Sequence, residues 1–294
     1  MSNHNLTAEL KNKISKIKLI ALDLDGTTLT DDKKITPEVT AAIKKAKDKG
    51  YEITFLTGRM FAAAAPYLKS MNLSVPIVCM NGTLIAESHT GKVLYEKTLE
   101  IGCVKQALKA VDGAPVYQFI YNGDKIHHSV KDPEILKYLE WWAVNFNEVE
   151  EINIDDYENI YQLLFIGELE ILNEISKNID SDSECNLTTF SFPSPRYPLH
   201  FLEVKTQGDS KGKGLKFLRN YFGVNKEEVL AVGDYLNDFE LLKEAGVAVA
   251  VANAVDDLKN NADIVTNRTN NEGAVEEVID LILEYAHNSP TEKE

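Results

Sequence analysis

An apolar run over residues 17–22, interrupted only by Lys18, ends in Asp23-Leu24-Asp25-Gly26-Thr27-Thr28-Leu29. A run of that length and content reads as a buried strand. Side chains alternate along a strand, so two acids separated by one residue leave it on the same side. Carboxylates held that close repel each other, and the pair requires a cation, a proton or a chemical task. Gly26 lets the chain turn away without a Cβ in its path. A strand that ends this way presents a carboxylate nucleophile with a second acid beside it.

That strand opens an alternating series. Thr36 is a good N-cap, Pro37 suits the first helical position, and Glu38 lies in the first turn. Val39, Ala42, Ile43 and Ala46 then make one apolar stripe, and Gly50 closes the helix. A strand over residues 51–56 ends in Thr57-Gly58-Arg59. A helix over 60–71, a strand over 77–80 and a tight turn at Asn81-Gly82 into 83–86 follow. Over residues 87–204 the rhythm changes. A hairpin turns at Asn122-Gly123-Asp124, a helix runs from Pro133 to Trp142, and strands over 161–166, 187–192 and 199–204 flank a helix over 169–179.

From residue 205 the alternation resumes. Helices are expected over 211–222, 237–245, 255–260 and 273–285, and strands over 229–232, 247–251 and 263–266. The spacing predicts an α/β fold whose core is a doubly wound, Rossmann-like parallel sheet built from residues 15–86 and 205–294. Residues 87–204 are expected to form an inserted α+β cap domain above the strand ends, where such sheets place ligands. Leu6, Leu10, Ile14 and Ile17 have helical spacing and predict a short leading helix.

Among 294 residues the formal charge is −15, with no basic stripe, which argues against a nucleic-acid partner. No apolar run approaches the ~20 residues needed to cross a bilayer, and the polar start lacks a signal-peptide centre. Cys79, Cys103 and Cys185 lie far apart without metal spacing and read as reduced thiols of a cytoplasmic protein. His127 and His128 are adjacent on a strand and point to opposite faces, which argues against a shared metal. Trp141-Trp142 read as core and edge of the insert. The chain is expected to be a monomer or weak homodimer.

Four polar clusters fall at the carboxyl ends of expected strands: Asp23/Asp25, Thr57-Gly58-Arg59, Asn81-Gly82, and Asp234 with Asn237-Asp238. Lys211 opens a helix close by. Taken alone, Asp23/Asp25 read as well as caps or turn residues, Thr57-Gly58-Arg59 reads more readily as a turn and Lys211 as a solvated side chain, and Asp234 to Asp238 could simply cap the next helix. In a parallel sheet, however, all these ends face one edge, so the clusters converge in one crevice. The chemistry they suit is phosphoryl transfer. Asp23, at the strand end, is the expected nucleophile, giving an aspartyl-phosphate. Asp25 protonates the departing oxygen and then takes a proton from water. A carboxylate meets a phosphate dianion only with help from a hard cation, and Mg²⁺ on Asp23, Asp25 and Asp234, supported by Asp238, fits. Lys211 stands where a cation opposes the helix dipole, which invites a role in offsetting phosphoryl charge. Thr57 and the Gly58 amide are expected donors to the same oxygens, with Asn81, Gly82 and Asn237 nearby. Arg59 and polar residues around Arg196 and His200 are candidates for the leaving group.

These stretches resemble the haloacid dehalogenase superfamily of phosphatases, in particular the Cof-type branch with an inserted α/β cap. The resemblance rests on DLDGTTL at 23–29, LTGR at 56–59, NGT at 81–83, SKGKGL at 210–215, GDYLND at 233–238 and VANA at 251–254, in family order over nearly the whole chain. It implies Asp23 as nucleophile, Asp25 as acid/base, Mg²⁺ on Asp23, the Asp25 carbonyl and Asp234, and phosphate on Thr57 and Lys211. Tyr235 and Val251 depart from the family pattern, the first at the expected mouth of the site. The implied activity is Mg²⁺-dependent hydrolysis of small phosphate monoesters, such as sugar phosphates, with a cap that closes over the crevice. The alternatives are a phosphomutase, or a sensor that keeps the fold without turnover.

Overall fold

Thr7 caps the first helix, α1 (Ala8–Ile14), by accepting from the Leu10 amide. It leads into β1 (Leu19–Asp23), whose five residues are all buried. Burial on both faces is what a central strand of a parallel sheet requires. Each fully buried Leu or Ile there contributes about 1.5–3 kcal/mol. The computed structural model describes residues 6–139, 144–180, 187–193 and 200–286.

The core elements continue with α2 (Pro37–Asp48), β2 (Glu52–Leu56), α3 (Phe61–Ser70), β3 (Pro76–Cys79), β4 (Leu84–Glu87) and β5 (Val93–Glu96). Thr36 caps α2 through the Val39 amide, and Val39, Ala42, Ile43 and Ala46 are its buried face. After β5 come α4 (Ile101–Ala110), β6 (Tyr117–Asn122), β7 (Lys125–His128), α5 (Pro133–Leu139), β8 (Phe146–Glu148), β9 (Ile160–Gly167), α6 (Leu169–Asp180), β10 (Leu187–Pro193) and β11 (His200–Thr206). The chain ends with α7 (Lys211–Phe222), β12 (Val229–Gly233), α8 (Phe239–Lys243), β13 (Val247–Ala250), α9 (Asp256–Lys259), β14 (Ile264–Val265) and α10 (Ala274–Ala286).

Two compact units result. One comprises Met1–Gly58, Ala64–Leu94 and Ser210–Glu294; the other comprises Arg59–Ala63 and Tyr95–Asp209. The first carries an eight-stranded sheet in the order β14-β13-β12-β1-β2-β3-β4-β5. It is parallel from β14 to β3, and β4 then runs antiparallel to β3. The reversal comes from a turn at Met80, Asn81 and Gly82, all with positive φ (50°, 55° and 106°). Successive strands lie to one side of β1 and β12 to the other, so β1 and β12 flank the point where the winding reverses. Crevices in such sheets open there.

The second unit holds a six-stranded sheet, β10-β11-β9-β6-β7-β8, antiparallel except for the β7–β8 pair. Ile120, Leu163, Phe165, Leu202 and Val204 on one face pack with Val104, Ala107, Leu172, Ile175 and Ile179 of α4 and α6. His127 and His128 face opposite ways: His127 lies against Tyr157 and Asn147, His128 against Phe119 and Phe146.

The expectation of reduced thiols is corrected in part. Cys79 is a free buried thiol, but Cys103 is disulfide-bonded. Sequence spacing could not reveal this, since a disulfide depends on the distance between Cα atoms in the fold. Cys185, Trp141, Trp142 and Arg196 lie outside the described residues. Among the described residues, no helix is long and apolar enough to cross a membrane.

Candidate active site

Asp23 closes β1, and Asp234 follows Gly233 at the end of the neighbouring β12, in register through Leu22 and Val232. Two carboxylates distant in sequence thus meet at one sheet edge. Asp238 joins them from the turn before α8, and one oxygen from each of the three lies within 4.8 Å of the others. The Asp238 Oδ2 accepts from the backbone amides of Asp234 (2.9 Å) and Tyr235 (3.1 Å), which fixes the loop.

Lys211 sits at the start of α7, behind the N-cap Ser210. Its Nζ donates to Asp23 Oδ1 at 2.5 Å and to Asp238 Oδ1 at 2.6 Å, and its side chain is 1% exposed. A cation at a helix start is unfavourable on its own. Here the two carboxylates supply the compensation. Burial works against the ammonium, yet the charges of Asp23 and Asp238 outweigh it and hold Lys211 above its ordinary value. Burial likewise pushes the Asp23 carboxyl up, with Lys211 opposing and Asp238 and Asp234 adding to the rise. Asp234 is raised to about 6 by burial and by the Asp238 charge, against a hydrogen bond from Thr27.

Two glycines make this convergence possible. Gly26 has φ +76°, and a Cβ there would lie 2.3 Å from Asp234 Oδ2. Gly82 has φ +106°, and a Cβ there would lie 2.4 Å from the Ser210 carbonyl oxygen. The second contact seats the turn after β3 against the cap of α7, and so locates Lys211. Thr57, fully buried at the end of β2, accepts from the Asn81 amide through its carbonyl at 3.0 Å. The Asn81 side chain lies beside Gly58 and accepts from Asn237 Nδ2 at 3.0 Å. Arg59 is 5% exposed and belongs to the second unit. Tyr235 is 56% exposed, and Val251 is wholly buried.

The Asp25 carboxylate is not among the three clustered acids. It pairs with Lys33, whose Nζ lies 2.8 Å from Oδ1. Thr27, Lys33 and Asn253 are site neighbours that the sequence reading did not single out. Thr27 Oγ1 donates to Asp234 at 3.0 Å, and Asn253 Nδ2 to the Gly26 carbonyl at 2.7 Å. Asn253 lies within the quoted 251–254 stretch, which was the available signal; a lone lysine such as Lys33 offered none.

The donor set fits a hard divalent cation. Three carboxylates around one ammonium leave a formal surplus of two negative charges among largely buried groups. Oxygen ligands of this kind suit Mg²⁺.

Known proteins share this arrangement's framework. A family model for haloacid dehalogenase-like hydrolases matches residues 20–279. The chain is 31% identical over 91% of its length to the 5-amino-6-(5-phospho-D-ribitylamino)uracil phosphatase YcsE of Bacillus subtilis (strain 168), covering 96% of that protein. It is 29% identical over 89% of its length to YitU, a phosphatase of the same name from that organism, again covering 96%. A crystal structure of a haloacid dehalogenase-like hydrolase from Bacteroides thetaiotaomicron superposes with a TM-score of 0.80 at 26% identity, covering 90% of this chain and 99% of that one. Sequence, sheet order and strand-end acids therefore agree that this chain belongs to the haloacid dehalogenase-like hydrolases, in the Cof-type branch, as a phosphoric monoester hydrolase.

Proposed function

We propose that the protein is a Mg²⁺-dependent phosphatase that hydrolyses small phosphorylated metabolites through an aspartyl-phosphate. The observation that carries this reading is the Lys211 ammonium held between Asp23 and Asp238, with Asp234 alongside. Asp23 attacks phosphorus: an Asp23 O–P bond forms, the bond from phosphorus to the leaving oxygen breaks, and Asp25 gives that oxygen a proton. Water then attacks the same phosphorus and passes a proton to Asp25. The Asp23 O–P bond breaks, and phosphate leaves. Lys211 orients Asp23 and offsets charge on the phosphoryl oxygens, with Thr57 and the Gly58 amide as further donors. Asp23, Asp234 and the Asp25 carbonyl, supported by Asp238, would hold Mg²⁺, which supplies neutralisation of the meeting anions.

The substrate class we infer is a phosphate ester of an alcohol on a small polar metabolite, as in the ribityl phosphate that names two relatives. The second unit, which takes in most of the expected 87–204 insert, is assigned as the cap that selects the leaving group, with the first unit as the catalytic core. Such charged substrates are confined by membranes, which supports a cytoplasmic site of action; the Cys103 disulfide removes the thiol argument for it.

The test is phosphate release from p-nitrophenyl phosphate with repeated turnover, which also separates a phosphatase from a phosphomutase. Asp23→Asn is expected to abolish turnover with an unchanged circular-dichroism spectrum, and a chelator to do the same reversibly on adding Mg²⁺. Hydrolysis by Asp23→Asn within threefold of wild type would rule out this nucleophile.

A further inference from the structure

The two acids of the first motif are held by different lysines. Lys211 holds Asp23 from inside the core, whereas Lys33 holds Asp25 from a turn of its own. That turn is anchored on both sides. The Lys33 amide donates to the Thr30 carbonyl at 2.8 Å, and the Thr30 amide to the Lys34 carbonyl at 2.9 Å. Asp31 receives Asn270 Nδ2 at 3.1 Å and Asn271 Nδ2 at 2.9 Å, while its amide donates to Asn271 Oδ1 at 2.9 Å. On the other flank, the Tyr67 hydroxyl donates to the Lys33 carbonyl at 3.0 Å.

Lys33 itself has φ +59°, a left-handed backbone that asparagine or glycine would occupy at lower cost. A strained residue locked by its surroundings points to a task for its side chain. Its Nζ lies 2.8 Å from Asp25 Oδ1, and the two side chains are 28% and 27% exposed. An ordinary surface ion pair contributes little, because two long side chains must be ordered to form it. In this pair the lysine backbone is anchored and both side chains are largely shielded from water, so the contact is screened less than a surface pair. Anchoring one carboxylate oxygen sets the rotation of the group, and with it the place of the second oxygen.

Resting on the hydrolysis proposed above, we propose that Lys33 is a positioning residue that holds the Asp25 carboxylate in place for both of its proton transfers. Lys33 acts through Asp25 and leaves the attack by Asp23 untouched. Its removal therefore affects the steps that need a proton moved. Protonation of the leaving oxygen matters for an alkyl phosphate and little for an aryl phosphate, whose phenolate departs unaided. Activation of water on the aspartyl-phosphate matters for both substrates.

The experiment compares Lys33→Met with wild type on glycerol phosphate and p-nitrophenyl phosphate, by stopped flow and in the steady state with Mg²⁺. The release of p-nitrophenolate in the first turnover is expected to stay within about twofold and to stand out as a burst that wild type lacks, followed by a slower steady state, because hydrolysis of the intermediate slows. Turnover of the alkyl phosphate is expected to fall about tenfold or more in kcat, with KM within about threefold. Lys33→Arg should recover most of the loss. Lys34→Met, the exposed neighbour, should behave as wild type. Tyr67→Phe, which removes one anchor and keeps the ring, should show the same pattern more weakly.

Equal losses in the aryl burst and the alkyl turnover would overturn the inference, since a merely structural role slows everything alike. An effect on KM alone would also overturn it, making Lys33 a substrate contact. Asp23-dependent phosphate release with unaltered Lys33→Met kinetics would overturn this inference alone. No Asp23-dependent release from wild type would overturn the proposed function, and the inference with it.

Discussion

Replacing Lys211 with methionine would keep most of the volume and remove the ammonium that pairs with Asp23 and Asp238. The side chains of Lys211, Asp23 and Asp238 are 1%, 4% and 0% exposed, so water cannot take over the lost charge. Breaking a buried pair by removing one partner costs about 3–5 kcal/mol. A ceiling follows from the carboxylates themselves, because one of them can take a proton. Asp23 is the candidate, since burial already pushes it above its ordinary value of 3.8. Between that value and pH 7 lie about three pH units, each worth about 1.4 kcal/mol, so the loss cannot much exceed about 4 kcal/mol.

The expected loss at pH 7 is thus about 3–4 kcal/mol, a large share of the 5–15 kcal/mol typical of folded domains. It should shrink by about 1.4 kcal/mol per unit as pH falls, because the compensating proton becomes easier to acquire. At pH 5 about 1–2 kcal/mol should remain. Urea denaturation in chelator at pH 5, 6 and 7, followed by circular dichroism, measures this. A loss of the same size at pH 5 and pH 7 would refute the charge argument and leave packing as the cause. A loss below about 1 kcal/mol at pH 7 would show that the pair is not coupled to folding.

Two further outcomes follow from the geometry. Gly26→Ala places an L residue at φ +76° and its Cβ 2.3 Å from Asp234 Oδ2, displacing the carboxylate from Thr27. The expected cost is about 2–4 kcal/mol in urea denaturation, with loss of Mg²⁺-dependent stabilisation, and a cost under 1 kcal/mol would contradict the close approach. In the second unit, burial holds His127 and His128 below their ordinary value of 6.5. Their folded pKa values being depressed, this contribution to stability is fully present above the unfolded value of 6.5 and is lost as pH falls below it through the lower folded values. His128→Phe, set beside Phe119 and Phe146, should therefore lose less melting temperature than wild type between pH 7.5 and 5.5. A variant as acid-sensitive as wild type would refute the assignment.

Much of the molecule was legible from local sequence, because the signals that set it act over a few residues. The Thr36-Pro37 start and the Val39, Ala42, Ile43, Ala46 stripe appear in the structure as the cap and buried face of α2. The expected helix over 211–222 and the strand-end acids Asp23 and Asp234 fall where the apolar runs placed them. Caps, periodicity and strand ends are read within one turn or one strand, so neighbours in sequence suffice to specify them.

What needed the fold was everything that depends on distance through space. The sequence offered Asp238 only as support for a metal. The structure makes it the residue that holds Lys211 with one oxygen and the Asp234 and Tyr235 amides with the other. It separates Asp25 from the clustered acids and pairs it with Lys33. It also turns β4 antiparallel through three left-handed residues and bonds Cys103 in a disulfide. Side-chain chemistry and strand order brought the acids to one edge. Which acid meets which cation was decided by angstrom-scale packing, to which a linear pattern has no access.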